Sequence, residues 1–253
     1  MIKIIEKNIF DEINQKKLKL DELRPLSEET VKSLRESVLL EWTYNSNAIE
    51  GNTLTLLETK VVLEGITVGG KSLREHLEVV NHKEAILYLE DIIRNKEPFS
   101  EWQIKNIHHL VLKGINDKYA GNYRDQQVMI SRAEYLPPAP FLLKEKMNEF
   151  IEWYSTKTQE LHPVERAAMV QIIFVGIHPF VDRNGRTSRL LLNLELMKNG
   201  YPPIVIKNAN RLEYYSALDK AHTTGENFDF VSLVVKETND MLDRYISLCN
   251  NNF

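Results

Sequence analysis

The stretch that organises this chain is His178-Pro-Phe-Val-Asp-Arg-Asn-Gly-Arg-Thr-Ser-Arg189. An apolar run with Ile172, Ile173, Phe174, Val175 and Ile177 leads into it. A second run, with Leu190, Leu191, Leu192, Leu194 and Leu196, leads out. Each run reads as a core helix, so the polar stretch between them is a loop presented by a buried helix–loop–helix. Helix punctuation continues on both sides. Thr55 with Glu58, Ser72 with Glu75 and Ser100 with Gln103 have the spacing of capping boxes. Pro163 suits a first helical turn, and Gly200, followed by Pro202 and Pro203, closes the helix that begins near Arg186. Toward the end, Leu212, Tyr215 and Leu218, then Phe230, Leu233, Val234, Leu242 and Tyr245, again fall at helical spacing. The pattern predicts roughly eight to ten helices.

One segment differs. Asn122 to Pro138 carries β-leaning residues, a polar middle and a Pro-Pro stop, and reads as a short hairpin or extended flap. The expected fold is all-α with a small β-hairpin flap over about 125–136, its strand formed by Val128, Met129 and Ile130. No repeat, low-complexity tract or Gly/Ser/Pro-rich linker divides the chain. Residues 1–45 are expected to form an N-terminal helical extension, and residues 46–250 the core.

Composition bounds the function. The 253 residues are 43% hydrophobic and 27% charged, and 36 acids against 32 bases leave a net charge of −4. That charge excludes a generic nucleic-acid coat protein. The single cysteine, Cys249, excludes an intrachain disulfide and a Cys-rich zinc site. No window approaches the length of a membrane-spanning helix, and the opening MIKIIEKNIFDEINQKK is too charged for a signal peptide. The expectation is a soluble, cytoplasmic protein that binds neither nucleic acid nor membrane.

The loop itself carries the chemistry. It gathers an imidazole, a carboxylate, an Asn-Gly pair and three guanidiniums, and its charge opposes that of the whole chain. A loop feeding a helix N-terminus offers free backbone N–H groups and the positive end of a dipole. Arg186 and Arg189, three residues apart, share one helix face. Phosphate suits such an arrangement, and the adjacent carboxylate of Asp182 points to Mg²⁺. His178 has an ordinary pKa near 6.5, right for a general base. A lone imidazole at a helix end is ordinarily a packing or capping group, and it is the conjunction that argues for a site. His76, His82, His108 and His109 have no metal-ligand spacing, and His162 reads as a helix-start residue.

This conjunction resembles the Fic family motif, HPFx(D/E)GN(G/K)RxxR. The likeness extends over roughly residues 42–245 and includes SNAIEGNTLTL, AGNYR, LHPVERAA and NGYPP. The resemblance is to the Fic AMPylators whose inhibitory helix precedes the core. It implies transfer of AMP from ATP, with Mg²⁺, to a Ser, Thr or Tyr hydroxyl of a target protein. In that reading His178 takes the hydroxyl proton and Phe180 anchors the loop. Asp182 holds the metal, Asn184 and Gly185 contribute to an anion hole, Arg186 contacts the phosphates, and Arg189 engages the γ-phosphate. Arg183 stands where the family usually has Gly. It either strains a backbone that wants positive φ or adds a phosphate or acidic-partner contact.

Ser46-Asn-Ala-Ile-Glu50-Gly51 matches the family's inhibitory pattern (S/T)xxxE(G/N). The resemblance implies that Glu50 pairs with Arg189 in the γ-phosphate's place, with Ser46 steadying the segment. It also implies that the target lies along the flap by strand addition, that Ile130, Ser131 and Arg132 lie over the nucleotide, and that Tyr214 lies near the adenosine. His222 falls where relatives carry Asn. Relatives often dimerise, so a homodimer is an expectation. Three alternatives stay open: transfer of phosphate, UMP or phosphocholine on the same fold; removal of AMP from a modified protein; or nucleotide sensing without turnover.

Overall fold

A computed structural model describes residues 7–130, 134–158 and 160–250. Among the described residues there are ten α-helices. They are α1 (Asp11–Glu22), α2 (Glu28–Ile49), α3 (Leu56–Leu63), α4 (Leu73–Arg94), α5 (Glu101–Leu112), α6 (Leu143–Thr156), α7 (Pro163–Ile177), α8 (Asn184–Lys198), α9 (Arg211–Thr224) and α10 (Phe228–Asn250). None is long and apolar enough to cross a membrane.

The centre is the antiparallel pair α7 and α8. Both are buried on nearly every face: α7 is apolar almost throughout, and α8 encloses a polar first half that the neighbouring helices must satisfy. Val164, Ala167, Ala168, Val170 and Phe174 of α7 are fully buried, as are Leu190, Leu191, Leu194 and Leu196 of α8. The other helices enclose them. α4 and α5 pack on α8, α6, α9 and α10 pack on α7, and α1 lies along α10. α2 runs without a break through residues 45 and 46, and its C-terminal end meets α8.

Sequence capping places the helices around this pair. Thr55 and Ser72 each close a full capping box, with Glu58 and Glu75. At Ser100 only half of the box forms. The Ser100 hydroxyl accepts from the Gln103 N–H at 3.4 Å, but the Gln103 amide turns to Glu97 at 2.9 Å. Pro163 takes the first turn of α7, where the His162 ring accepts from the Val164 N–H at 3.2 Å.

The expected β-hairpin is absent, and the fold is helical with no strand among the described residues. Side chains take the carbonyls that a ladder would have used. Arg124 donates to the carbonyl of Gln126 at 3.0 Å and also to that of Pro138, and Gln127 Nε2 donates to the Pro137 carbonyl at 3.0 Å. Pro137 and Pro138 bring no N–H to a ladder, and two strands alone are marginal in water. The far side of the segment is held by Asp219, whose carboxylate accepts from the Glu134 N–H at 3.0 Å.

Candidate active site

The loop between α7 and α8 begins and ends on a left-handed residue, His178 at φ 49° and Arg183 at φ 65°. Each costs about 1–2 kcal/mol in a non-glycine residue, so the six residues between the helices are held by their surroundings. Phe180 is fully buried between His108, Tyr123 and Phe174. Its peptide is bracketed by the Asn184 amide, which accepts from the Phe180 N–H at 3.0 Å and donates to its carbonyl at 2.8 Å. The Asn184 side chain is therefore a brace within the loop. Arg124 holds the near end, donating from Nε to the His178 carbonyl at 2.9 Å and from its N–H to the Pro179 carbonyl at 3.0 Å. His108 holds the far end, donating from Nε2 to the Asp182 carbonyl at 3.0 Å.

His178 lines the cleft, and burial pulls its pKa down to about 4. The cation of Arg124 adds to that effect, while Glu50 and the Val175 carbonyl oppose it. The ring is therefore neutral at pH 7. Its Nδ1 is buried and makes no hydrogen bond of acceptable geometry. Asp182 is half exposed at the same cleft. Its Oδ1 accepts from the Arg183 N–H at 2.7 Å, and its Oδ2 has only long contacts, to Arg183 at 3.4 Å and Arg74 at 3.5 Å.

The three guanidiniums are buried, each against a carboxylate. Arg183 pairs with Glu78 of α4 at 2.6 Å. Arg186 pairs with the other oxygen of Glu78 at 3.1 Å and donates from Nε to Asn47 at 2.7 Å. Burial lowers the Arg186 pKa to about 10. Arg189 is gripped on all sides. Its Nε donates to the Ser46 hydroxyl at 3.0 Å, and Nη2 to the Ser46 carbonyl at 2.8 Å and Glu50 at 2.9 Å. Nη1 donates to the Tyr214 hydroxyl at 3.2 Å. Unlike Arg183, neither Arg186 nor Arg189 lines the cleft.

Glu50 caps the C-terminal end of α2, and Gly51 follows at φ 93°, a conformation that suits glycine. The Glu50 side chain is 26% exposed. Burial disfavours its charge, but Arg189 and Arg186 outweigh that and hold its pKa below the ordinary carboxylate range. Glu50 lies against the first turn of α8. A Cβ on Gly185 would overlap Glu50 Oε1.

The cleft has a volume of about 460 Å³, within the usual range for small-molecule sites. Ile130, Asp182, Gly185, Tyr214 and His222 contribute to its walls. The Tyr214 hydroxyl is turned away from a ligand role, since it also accepts from Gln171 at 2.6 Å. His222 donates from Nε2 to the Ile172 carbonyl at 2.8 Å. Ser131 and Arg132 lie outside the described residues. No cluster of three His, Cys, Asp or Glu able to hold a metal occurs among the described residues. Mg²⁺ commonly takes one or two carboxylates plus substrate phosphates and waters, and a lone, half-free Asp182 fits that habit. The sequence alone assigns no role to Glu78, His108 or Arg124. Of these only Arg124 had a local signal, the Gly-Asn-Tyr-Arg run at the start of the flap segment.

Comparison with known proteins agrees with the geometry. The Fic/DOC family profile matches residues 98–196. The chain is 38% identical over 249 residues to the protein adenylyltransferase Fic of Nematostella vectensis, an alignment covering 97% of this chain and 57% of that protein. The chain thus spans little more than half the length of that curated relative. It superposes on a Fic domain containing signaling protein from Bacteroides thetaiotaomicron with a TM-score of 0.88, at 29% identity, over 96% of this chain and 99% of the other. With a solved fragment of Caenorhabditis elegans Fic-1 the TM-score is 0.87 at 30% identity, over 97% of this chain and 74% of that one. The HPF motif loop, its brackets and these likenesses converge, and the chain belongs to the Fic/DOC family.

Proposed function

We propose that this chain is a protein adenylyltransferase that moves AMP from ATP to a side-chain hydroxyl of a protein, and that Glu50 holds it at rest. One observation carries the reading. The N-terminus of α8, backed by Arg189, is a place built for an anion, and the protein's own Glu50 carboxylate sits against it. The first N–H groups of a helix have no intrahelical acceptor and favour negative charge. α8 starts without a side-chain cap from Arg183, which in this reading leaves the N–H groups at its very start for phosphate oxygens.

In this reading the substrate hydroxyl attacks the α-phosphorus and the bond to pyrophosphate breaks. His178, neutral in its buried setting, takes the hydroxyl proton. Asp182 would hold Mg²⁺, which supplies neutralisation of the triphosphate charge. Arg189 would turn from Glu50 to the γ-phosphate, and the backbone at Asn184 and Gly185 would receive phosphate oxygens. Met129 and Ile130 line the cleft, and in this reading the target chain would lie along the segment 125–136 with Ile130 against the nucleotide.

The test uses α-labelled ATP, Mg²⁺ and cell lysate with wild type, Glu50→Gly and His178→Ala. Strong protein labelling by Glu50→Gly, and none by Glu50→Gly combined with His178→Ala, is the expected result. Absence of labelled protein with every variant would overturn the transferase reading.

A further inference from the structure

His108 is fully buried on α5, 74 residues before its partner in the loop. Its ring lies flat on Phe180, centroids 3.6 Å apart and planes 2° from parallel. Both ring nitrogens are used. Nδ1 accepts from the Gly121 N–H at 2.9 Å, and Nε2 donates to the Asp182 carbonyl at 3.0 Å. Only one neutral tautomer satisfies both bonds, because a proton on Nδ1 would face the Gly121 N–H donor to donor.

The consequence lies at Asp182. Its carboxylate has two long contacts to arginines and one short bond, to the N–H of the next residue. Nothing on the cleft side grips it, so its direction follows from its own backbone. The grip on that backbone from outside the loop is His108. Phe180, two residues earlier, is pinned by the same ring. The imidazole thus spans from the Gly121 turn to the Asp182 peptide and fills the space against Phe180, three tasks that no apolar ring performs together.

We infer that His108 is a positioning residue that aims the Asp182 carboxylate into the cleft, and through it sets the Mg²⁺ requirement for binding ATP. The inference rests on the adenylyltransferase reading. Groups that orient a metal ligand typically change metal affinity about 10–100-fold when lost.

Three variants separate positioning from packing. His108→Gln places an amide N–H where Nε2 donates. His108→Asn reaches only the Nδ1 side and can accept from Gly121. His108→Phe keeps the stacking alone. Binding of a fluorescent ATP analogue is titrated with Mg²⁺, and hydrogen exchange of residues 178–184 and the thermal midpoint are read alongside. His108→Asn and His108→Phe should need about 10-fold or more Mg²⁺ for half-maximal binding and exchange faster in the loop, while His108→Gln stays near wild type. If His108→Phe fails to fold, the Gln and Asn pair decides alone. An unchanged Mg²⁺ requirement in His108→Asn, with a lower thermal midpoint, would show a structural role and overturn the assignment. A wild-type chain that binds no Mg²⁺-ATP would instead overturn the transferase reading on which the inference rests.

Discussion

Oε1 of Glu50 lies 2.9 Å from Nη2 of Arg189, across 139 residues of chain, and the same oxygen rests where a side chain at Gly185 would begin. The carboxylate is thus wedged between a guanidinium and the first turn of α8. In the proposed reading, these are contacts that a triphosphate would need.

Glu50→Gly should therefore raise AMP transfer by one to several orders of magnitude. Removing the carboxylate frees Arg189 without touching His178 or Asp182, and a reacting group misplaced by about 1 Å can cost 10²-fold. Arg189→Ala should not mimic the gain, because it also removes the phosphate contact. Autoradiography of the two single variants and the double variant checks both statements. An unchanged or lower signal in Glu50→Gly means that Glu50 is only a helix-end acid.

Gly185→Ala offers release without altering Glu50. The residue is helical, so its backbone accepts alanine, but the new methyl would displace the carboxylate. Because the methyl also stands where the proposed reading puts a phosphate oxygen, transfer should stay below that of Glu50→Gly, and adding Gly185→Ala to Glu50→Gly should lower it. A double variant more active than Glu50→Gly alone would break the link between the methyl and the carboxylate.

Arg183→Gly sets two effects against each other. It removes the cost of φ 65°, about 1–2 kcal/mol. It also removes a buried partner of Glu78, and breaking buried pairs costs about 3–5 kcal/mol. Glu78 keeps Arg186 and Asn52 as donors, which softens the loss. The expected net is a destabilisation of about 1–3 kcal/mol, read from denaturant midpoints. A more stable Arg183→Gly protein would mean that backbone strain outweighs the ion pair.

Acid should act through imidazoles. Burial pulls His108, His162 and His178 each down to about 4, against an ordinary 6.5. Between those values the unfolded chain binds protons that the folded chain refuses, so stability falls as pH drops from 6.5 toward 4 and is full above about pH 7. Thermal melts between pH 8 and pH 4 should show that window. With His178 as base, the acid limb of transfer should lie near pH 4 rather than 6.5. A limb at 6.5 would mean that the ring is solvated during turnover.

Much of this was legible in the chain. The apolar runs on either side of 178–189 demanded an enclosed helix pair, and α7 and α8 are that pair. The serine and threonine caps at residues 55 and 72 formed in full, whereas at Ser100 the Gln103 amide turned instead to Glu97. Residues 122–138 misled because β-leaning side chains say nothing about whether a second strand is there to pair, and here side chains serve the carbonyls. Glu78 and His108 were illegible for another reason. Each acts on a residue more than 70 positions away, through a burial that only the packed helices create. Arg183 was read as either strain or contact, and it is both.

Two neighbouring tyrosines on α9 tie Arg189 to the end of α2. Tyr214 accepts from Arg189, and Tyr215 donates to the carbonyl of Ile49 at 3.2 Å, beside Glu50. The arginine, the end of α2 and α9 are thus joined as a triangle, each corner fixed by the other two. A triangle does not open by degrees. If Glu50 holds the enzyme at rest as proposed, release would be a transition between two discrete packings, in line with the bistability of packed interfaces. Basal labelling then counts how many molecules are open at a given moment, not how far each one has opened.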